Sequence, residues 1–203
     1  VIVRSFRFSS HPNPIKDRRW PPQQPDSLLH HTSGHSPYER RKYATTLDHV
    51  GRGPFGLALE LGCAIGIMSR ALAARCDRLV AVDTAATALD HARRHCADCN
   101  RITFHRAFLP AEFPALRPGS CDLVVISELL YFLSPADIRC LADRVLAVRR
   151  PGGPIVLANW TGPTDTPCSG DDAATLFVAR CRDRGLAMTV TAYHDGYRLD
   201  RLS

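Results

Sequence analysis

The stretch Ala58-Leu59-Glu60-Leu61-Gly62-Cys63-Ala64-Ile65-Gly66-Ile67-Met68, followed by Leu79-Val80-Ala81-Val82-Asp83, constrains the fold more than any other part of the chain. It reads as a buried strand, a glycine turn, a helix and a second buried strand closed by a carboxylate, which is half of a nucleoside-binding α/β unit. Gly62 and Gly66 let backbone pass close to a ligand where a Cβ would intrude. Asp83 follows Gly62 by 21 residues. That spacing puts an acid at the carboxyl end of the neighbouring strand, where it can accept hydrogen bonds from ribose hydroxyls.

Glu60 helps to choose the cofactor class. A dinucleotide turn offers backbone N–H groups and a positive helix end to a pyrophosphate, and a carboxylate two residues before the first glycine is poorly placed for that task. S-adenosylmethionine has no phosphate, and its α-ammonium and sulfonium are both cationic, so an acid facing the methionine end suits it. The third glycine of GxGxxG is also missing, because Cys63 and Ala64 follow Gly62 and only Gly66 comes later. In this form, acid-x-Gly-x-x-x-Gly, the segment resembles the first motif of class I S-adenosylmethionine-dependent methyltransferases. The resemblance implies S-adenosyl-L-methionine as cofactor, with S-adenosyl-L-homocysteine as product. Implied cofactor-binding positions are Glu60, Gly62, Cys63, Gly66, Asp83 and Thr84, then Ala107 and Phe108 after the third strand, and Ser127 after the fourth.

Strand and helix alternate beyond these motifs. A helix capped by Ser36-Pro37 runs to about Val50. Then come strand Leu57 to Leu61, helix Ala64 to Arg75, strand Leu79 to Val82, helix Ala85 to Cys96 and a short strand Ile102 to Phe104. Strand Asp122 to Ser127, a helix from Ser134-Pro135 to about Val148 and strand Ile155 to Asn159 follow, and a last helix runs from Gly170 to about Arg184. Such alternation predicts an α/β fold with a parallel sheet covered on both faces. The final segments, Ala187 to Tyr193 and Tyr197 to Leu202, flank His194-Asp195-Gly196 and predict an antiparallel hairpin. The family resemblance implies the whole: a Rossmann-like, seven-stranded, mostly parallel sheet with a C-terminal antiparallel hairpin. Residues 36–203 form this domain. Residues 1–35, with Pro12, Pro14, Pro21, Pro22 and Pro25 and no sustained period, read as an irregular or disordered tail.

Charge and cysteine content narrow the partners. The net charge is +6, but Arg4, Arg7, Lys16, Arg18 and Arg19 against Asp17 and Asp26 place half of that excess in the tail. Lysine and arginine do not cluster on one folded element with aromatics between them, which ranks nucleic acid low as a partner. The longest apolar runs fall well short of the ~20 residues of a membrane span, and no secretory signal is legible at the amino terminus, so the expected place is the cytoplasm. Eight cysteines lie largely inside motifs of an intracellular type and are expected as thiols. His91, His95 and Cys99 share a helical face beside Cys96, but the CxxC has no second pair and no metal is assigned.

Two further segments carry the acceptor side. Asp122-Leu123-Val124-Val125-Ile126-Ser127-Glu128-Leu129-Leu130-Tyr131 resembles the family's fourth strand and its exit. The resemblance puts Ser127, Glu128 and Tyr131 beside the crevice as first choices for substrate contact, with Glu128 and Tyr131 as the catalytic pair. After the third strand the family often has an acid for the adenine amino group. Here the loop reads Arg106-Ala107-Phe108-Leu109-Pro110, so Phe108 is expected to pack beside adenine, and Glu112 stands too far along to be counted as a replacement. Tyr38 and Lys42 spell the YxxxK of short-chain dehydrogenases but precede the glycine turn, and a capped helix with exposed charge accounts for them.

Ser36-Pro37-Tyr38-Glu39-Arg40-Arg41-Lys42-Tyr43, Leu129 to Leu133 and Tyr197-Arg198-Leu199-Asp200 look most like the nodulation protein S branch. Members of that branch methylate the free amine of a deacetylated glucosamine in a chitin oligosaccharide. The resemblance therefore implies a small-molecule or oligosaccharide acceptor methylated at nitrogen. A binding module that keeps the fold without turnover is the alternative, and the oligomeric state stays open.

Overall fold

The computed structural model describes residues 36–203. The tail read in residues 1–35 lies outside them. The elements are α1 (Pro37–Val50), β1 (Phe55–Leu61), α2 (Ile67–Ala73), β2 (Cys76–Asp83), α3 (Ala86–His95), β3 (Ile102–Arg106), β4 (Leu123–Ser127), a 3-10 turn (Leu130–Phe132), α4 (Pro135–Val148), β5 (Ile155–Trp160), α5 (Gly170–Asp183), β6 (Met188–His194) and β7 (Tyr197–Leu202). The strands form one sheet in the order β3-β2-β1-β4-β5-β7-β6. β1 to β5 are parallel, and β7 pairs antiparallel with both β5 and β6. The predicted α/β sheet with its terminal hairpin is the observed one.

Serine caps start three of the helices. Ser36 Oγ accepts the Glu39 N–H at 3.0 Å, Ser134 Oγ that of Asp137 at 3.2 Å, and Ser169 Oγ that of Asp172 at 3.1 Å. Each cap satisfies one of the N–H groups that a helix start leaves unpaired, and Pro37 and Pro135 cost nothing there because a first-turn N–H has no partner to lose. Strand alternation then sorts the core onto two faces. Leu57, Leu59, Leu61, Val124, Ile126, Ile155 and Leu157 pack with residues of α4 and α5, including Ile138, Leu141, Val145 and Phe177. Ala58, Leu79, Ala81, Leu123, Val125 and Val156 pack on the opposite face with Val50, Met68, Leu72 and Leu89.

Three boundaries around the first crossover move, the helix start for a local reason. The helix expected from Ala64 begins at Ile67, because Ala64 (φ 45°) and Gly66 (φ 82°) both sit in the left-handed region and extend the turn. It ends at Ala73, and β2 starts three residues before the expected Leu79, at Cys76. The strand order reverses direction between β1 and β4, so the chain leaves the carboxyl ends of these two neighbours towards opposite sides. In open α/β sheets a ligand crevice forms at such a divergence, and here Gly62, after β1, and Ser127, the last residue of β4, stand at it.

Candidate active site

Three acids stand at the carboxyl ends of three adjacent strands: Asp83 ends β2, Glu60 is the penultimate residue of β1, and Glu128 follows β4. Glu60 pairs in register with Ala81, two residues before Asp83, so alternation puts both side chains on one face of the sheet. Each acid is held differently.

Asp83 secures the turn. Its Oδ2 accepts the Ala64 N–H and its Oδ1 the Ala85 N–H, both at 2.9 Å. One lone pair on each oxygen remains for a ligand. Cys63 and Gly62 donate their N–H groups to the Val82 carbonyl, and the Ala107 N–H reaches the Asp83 carbonyl, so these positions converge on the end of β2. The Cys63 thiol is buried, and that burial pushes its pKa up and keeps it neutral. Thr84 is exposed, with its carbonyl accepting from Arg106 Nε.

Glu60 is fully buried. Its Oε2 accepts the Ser69 hydroxyl at 2.5 Å, and Oε1 has no partner among the described residues. Burial pushes its pKa up to about 7, the Ser69 hydrogen bond opposes this, and nearby Asp83 adds to it. A buried carboxylate oxygen without a donor carries a large penalty, and a ligand cation or N–H group in the crevice would remove it.

Protein neighbours also require glycine at positions 62 and 66. A Cβ on Gly66 would sit 2.9 Å from Ala92 Cβ, and a Cβ on Gly62 would collide with the Ser127 carbonyl oxygen. Both also have positive φ. It is therefore protein, the wall of α3 and the end of β4, that forbids side chains at these two positions.

Glu128 is the most constrained of the three. It holds φ at 52°, an unusual value for a residue with a side chain. Its Oε2 accepts the Tyr131 hydroxyl at 2.6 Å and the Trp160 N–H at 3.2 Å, while Oε1 accepts Lys42 Nζ at 3.2 Å. The reading of Glu128 and Tyr131 as a pair beside the crevice is thus given a geometry: one carboxylate bonded by three groups, its side chain still 28% exposed. Tyr131 is buried against Phe132, and burial followed by the Glu128 charge pushes its pKa up, so the hydroxyl stays protonated. Ser127 is buried at the end of β4.

Lys42 corrects the sequence reading. Expected as exposed helix charge, it is 6% exposed, as Glu39 is 7%. Its ammonium lies 3.2 Å from Glu39 Oε1 as well as from Glu128, and within 6 Å of the Tyr38 and Tyr43 ring centres. Tyr38 packs edge-on against Trp160 and Tyr197, and its buried hydroxyl has no partner among the described residues. Asn159, buried at the end of β5, likewise leaves both amide atoms without partners. Sequence reasoning missed Tyr38, Lys42 and Asn159. The signal for the first two was present as YxxxK, but a short polar helix does not reveal which face it buries.

Phe108 is 61% exposed at the rim. Glu112, set aside as too distant, returns to this loop: its Oε2 accepts the Phe108 N–H at 2.8 Å, and its own N–H reaches the Phe108 carbonyl. An acid therefore does stand beside the loop after β3, four residues on from Phe108. His105 lies on β3, at the edge of the sheet and three strands from β4, and His194 is exposed and stacked on Tyr197. Among the described residues no group of three metal-binding side chains occurs, and no helix is long and apolar enough to cross a membrane.

Comparison with known proteins places this architecture. A family described as a methyltransferase domain matches residues 58–153. Nodulation protein S of Rhizobium tropici is 32% identical over 127 residues, covering 61% of this chain and 52% of that protein. The chain spans about half the length of this relative and its Sinorhizobium fredii counterpart. A Pseudomonas syringae crystal structure assigned as a candidate methyltransferase is 33% identical, with a TM-score of 0.69 over 81% of this chain and 97% of that one. The N-methyltransferase NodS of Bradyrhizobium japonicum WM9, solved with S-adenosyl-L-homocysteine, shares the fold at a TM-score of 0.70 and 22% identity, over 83% of this chain and 88% of that one.

Proposed function

This chain belongs to the class I S-adenosylmethionine-dependent methyltransferase family, among its NodS-like members, and from that premise we propose that it methylates nitrogen on a small-molecule or oligosaccharide acceptor. The observation that carries the reading is the row of acids on β2, β1 and β4, each with a lone pair left over. Glu60 supports the donor assignment most directly, because its orphaned Oε1 suits the α-ammonium of S-adenosylmethionine. Asp83 would hold the ribose hydroxyls with its remaining lone pairs. Phe108 and the Glu112-capped loop would flank the adenine. When bound, the donor supplies an already activated methyl on a sulfonium.

The chain's own residues then have to place a nitrogen lone pair in line and shed a proton. Glu128 fits both tasks. Tyr131 and the Trp160 N–H fill Oε2, which leaves Oε1 to take an acceptor N–H and so orient the nitrogen. After transfer the same oxygen can receive the proton that the methylated nitrogen sheds. A hydroxyl acceptor would ask for a stronger base, and neither His105 nor His194 is hydrogen-bonded to Glu128. The acceptor class follows the nodulation protein S relatives, and the deacetylated chitin oligosaccharide is the first compound to try.

Titration calorimetry with S-adenosylmethionine and S-adenosylhomocysteine, on the parent and on Asp83→Ala, tests the donor half. Micromolar binding lost in the variant is expected, and a parent that binds neither compound overturns the reading. Labelled-methyl transfer to amino sugars, amines and phenols tests the acceptor half, with label expected on amines.

A further inference from the structure

The α1 cation has no place in the reaction as described, yet it is buried against the one carboxylate that does. From α1, Lys42 bonds the Glu128 carboxylate, and Lys42 is itself shared with Glu39 on the preceding helical turn. Burying an ammonium costs solvation that its partners must offset, so a fold keeps such a group where geometry rewards it. The reward visible here is directional. Tyr131, Trp160 and Lys42 approach Glu128 from three different elements, 3-10 turn, sheet and α1, and fix both oxygens. One acceptor position remains, on Oε1 beside Lys42, near the Tyr38 ring and its unpartnered hydroxyl.

We propose that Lys42, steadied by Glu39, is a positioning residue that holds the Glu128 carboxylate in the single orientation from which Oε1 faces the acceptor nitrogen. This rests on the nitrogen-methyltransferase reading and adds α1 to its machinery. Without Lys42 the Glu128 carboxylate loses its bond to α1 at Oε1 and the cation that offsets its charge and that of Glu39. The loss then falls on turnover and acceptor affinity. Donor binding, held by Asp83 and Glu60 on other strands, is spared.

The test compares the full chain with Lys42→Met, Lys42→Arg and Glu39→Gln. In the parent's best amine from the panel, Lys42→Met is expected to lower kcat about 10- to 100-fold, the cost of one charge-assisted hydrogen bond. S-adenosylhomocysteine affinity should stay within about twofold of the parent. Lys42→Arg should retain more turnover than Lys42→Met, and Glu39→Gln should fall between the parent and Lys42→Met. A second arm needs no acceptor: a crystal structure of Lys42→Met with S-adenosylhomocysteine should show the Glu128 side chain turned away from Tyr131 or in several rotamers. An unmoved Glu128 carboxylate, or equal losses for Met and Arg, overturns the proposal. If the parent methylates nothing, the functional reading fails while the crystallographic arm still decides the role of Lys42.

Discussion

The Ser69 hydroxyl donates to Glu60 Oε2 across 2.5 Å inside the core, while the other oxygen of the same carboxylate meets no donor among the described residues. A folded-state pKa of about 7, against an ordinary 4.5, means the native state holds this proton more tightly than the unfolded chain does. Stability from this group is therefore complete below about pH 4.5 and is lost as pH rises through about 7. Glu60→Gln should remove that slope, gaining on the order of 3 kcal/mol relative to the parent between pH 4.5 and pH 8. Urea midpoints of ligand-free parent and variant at both pH values measure it. A difference that does not change with pH would contradict the assignment.

The same proton should report on donor binding. A cation placed at Oε1 favours the ionised carboxylate, so binding below pH 7 should expel most of one proton. Calorimetry with S-adenosylmethionine at pH 6.5 in buffers of different ionisation enthalpy counts it. Glu60→Gln should bind about 10- to 100-fold more weakly and release no proton from this site.

Gly66 and Gly119 share a positive φ but differ in surroundings. Gly119 has nothing within 4 Å of a built Cβ, whereas Gly66 faces Ala92 at 2.9 Å. Gly119→Ala should cost only backbone strain, about 1–2 kcal/mol. Gly66→Ala should cost about 2–4 kcal/mol by adding overpacking against α3. Thermal or urea unfolding of the two variants separates them, and equal losses would falsify the packing role of Gly66.

Tyr131→Phe removes one hydroxyl from the Glu128 network and leaves the ring in place. Turnover with an amine acceptor is expected to fall about 10- to 100-fold, with donor affinity unchanged. Steady-state kinetics and S-adenosylhomocysteine titration check the split. A variant with parental kcat would remove Tyr131 from the acceptor side.

Much of the fold was legible because its determinants are local. Ser36-Pro37 and Ser134-Pro135 announce helices through a cap that needs only three neighbouring residues. The near-continuous apolar run of β1 announces a strand covered on both faces, because successive side chains must point apart and here both directions are buried. The boundary errors are equally physical. Ala64 adopts a left-handed conformation that its residue type does not advertise, held by an N–H bond to Asp83 from the next strand.

By itself the sequence determined the turn, the row of acids and the order of elements, since periodicity, capping and glycine placement act within a few residues of each other. Tertiary structure alone decided that Lys42 meets Glu128 across 86 positions, and that α3 presses on Gly66. It also brought Glu112 back to the Phe108 N–H and left Glu60 with one oxygen bonded and the other without a partner among the described residues. Contacts of this kind depend on which helix faces are buried and where loops return. Burial, by removing water, turns an ordinary charge into one that must find a partner.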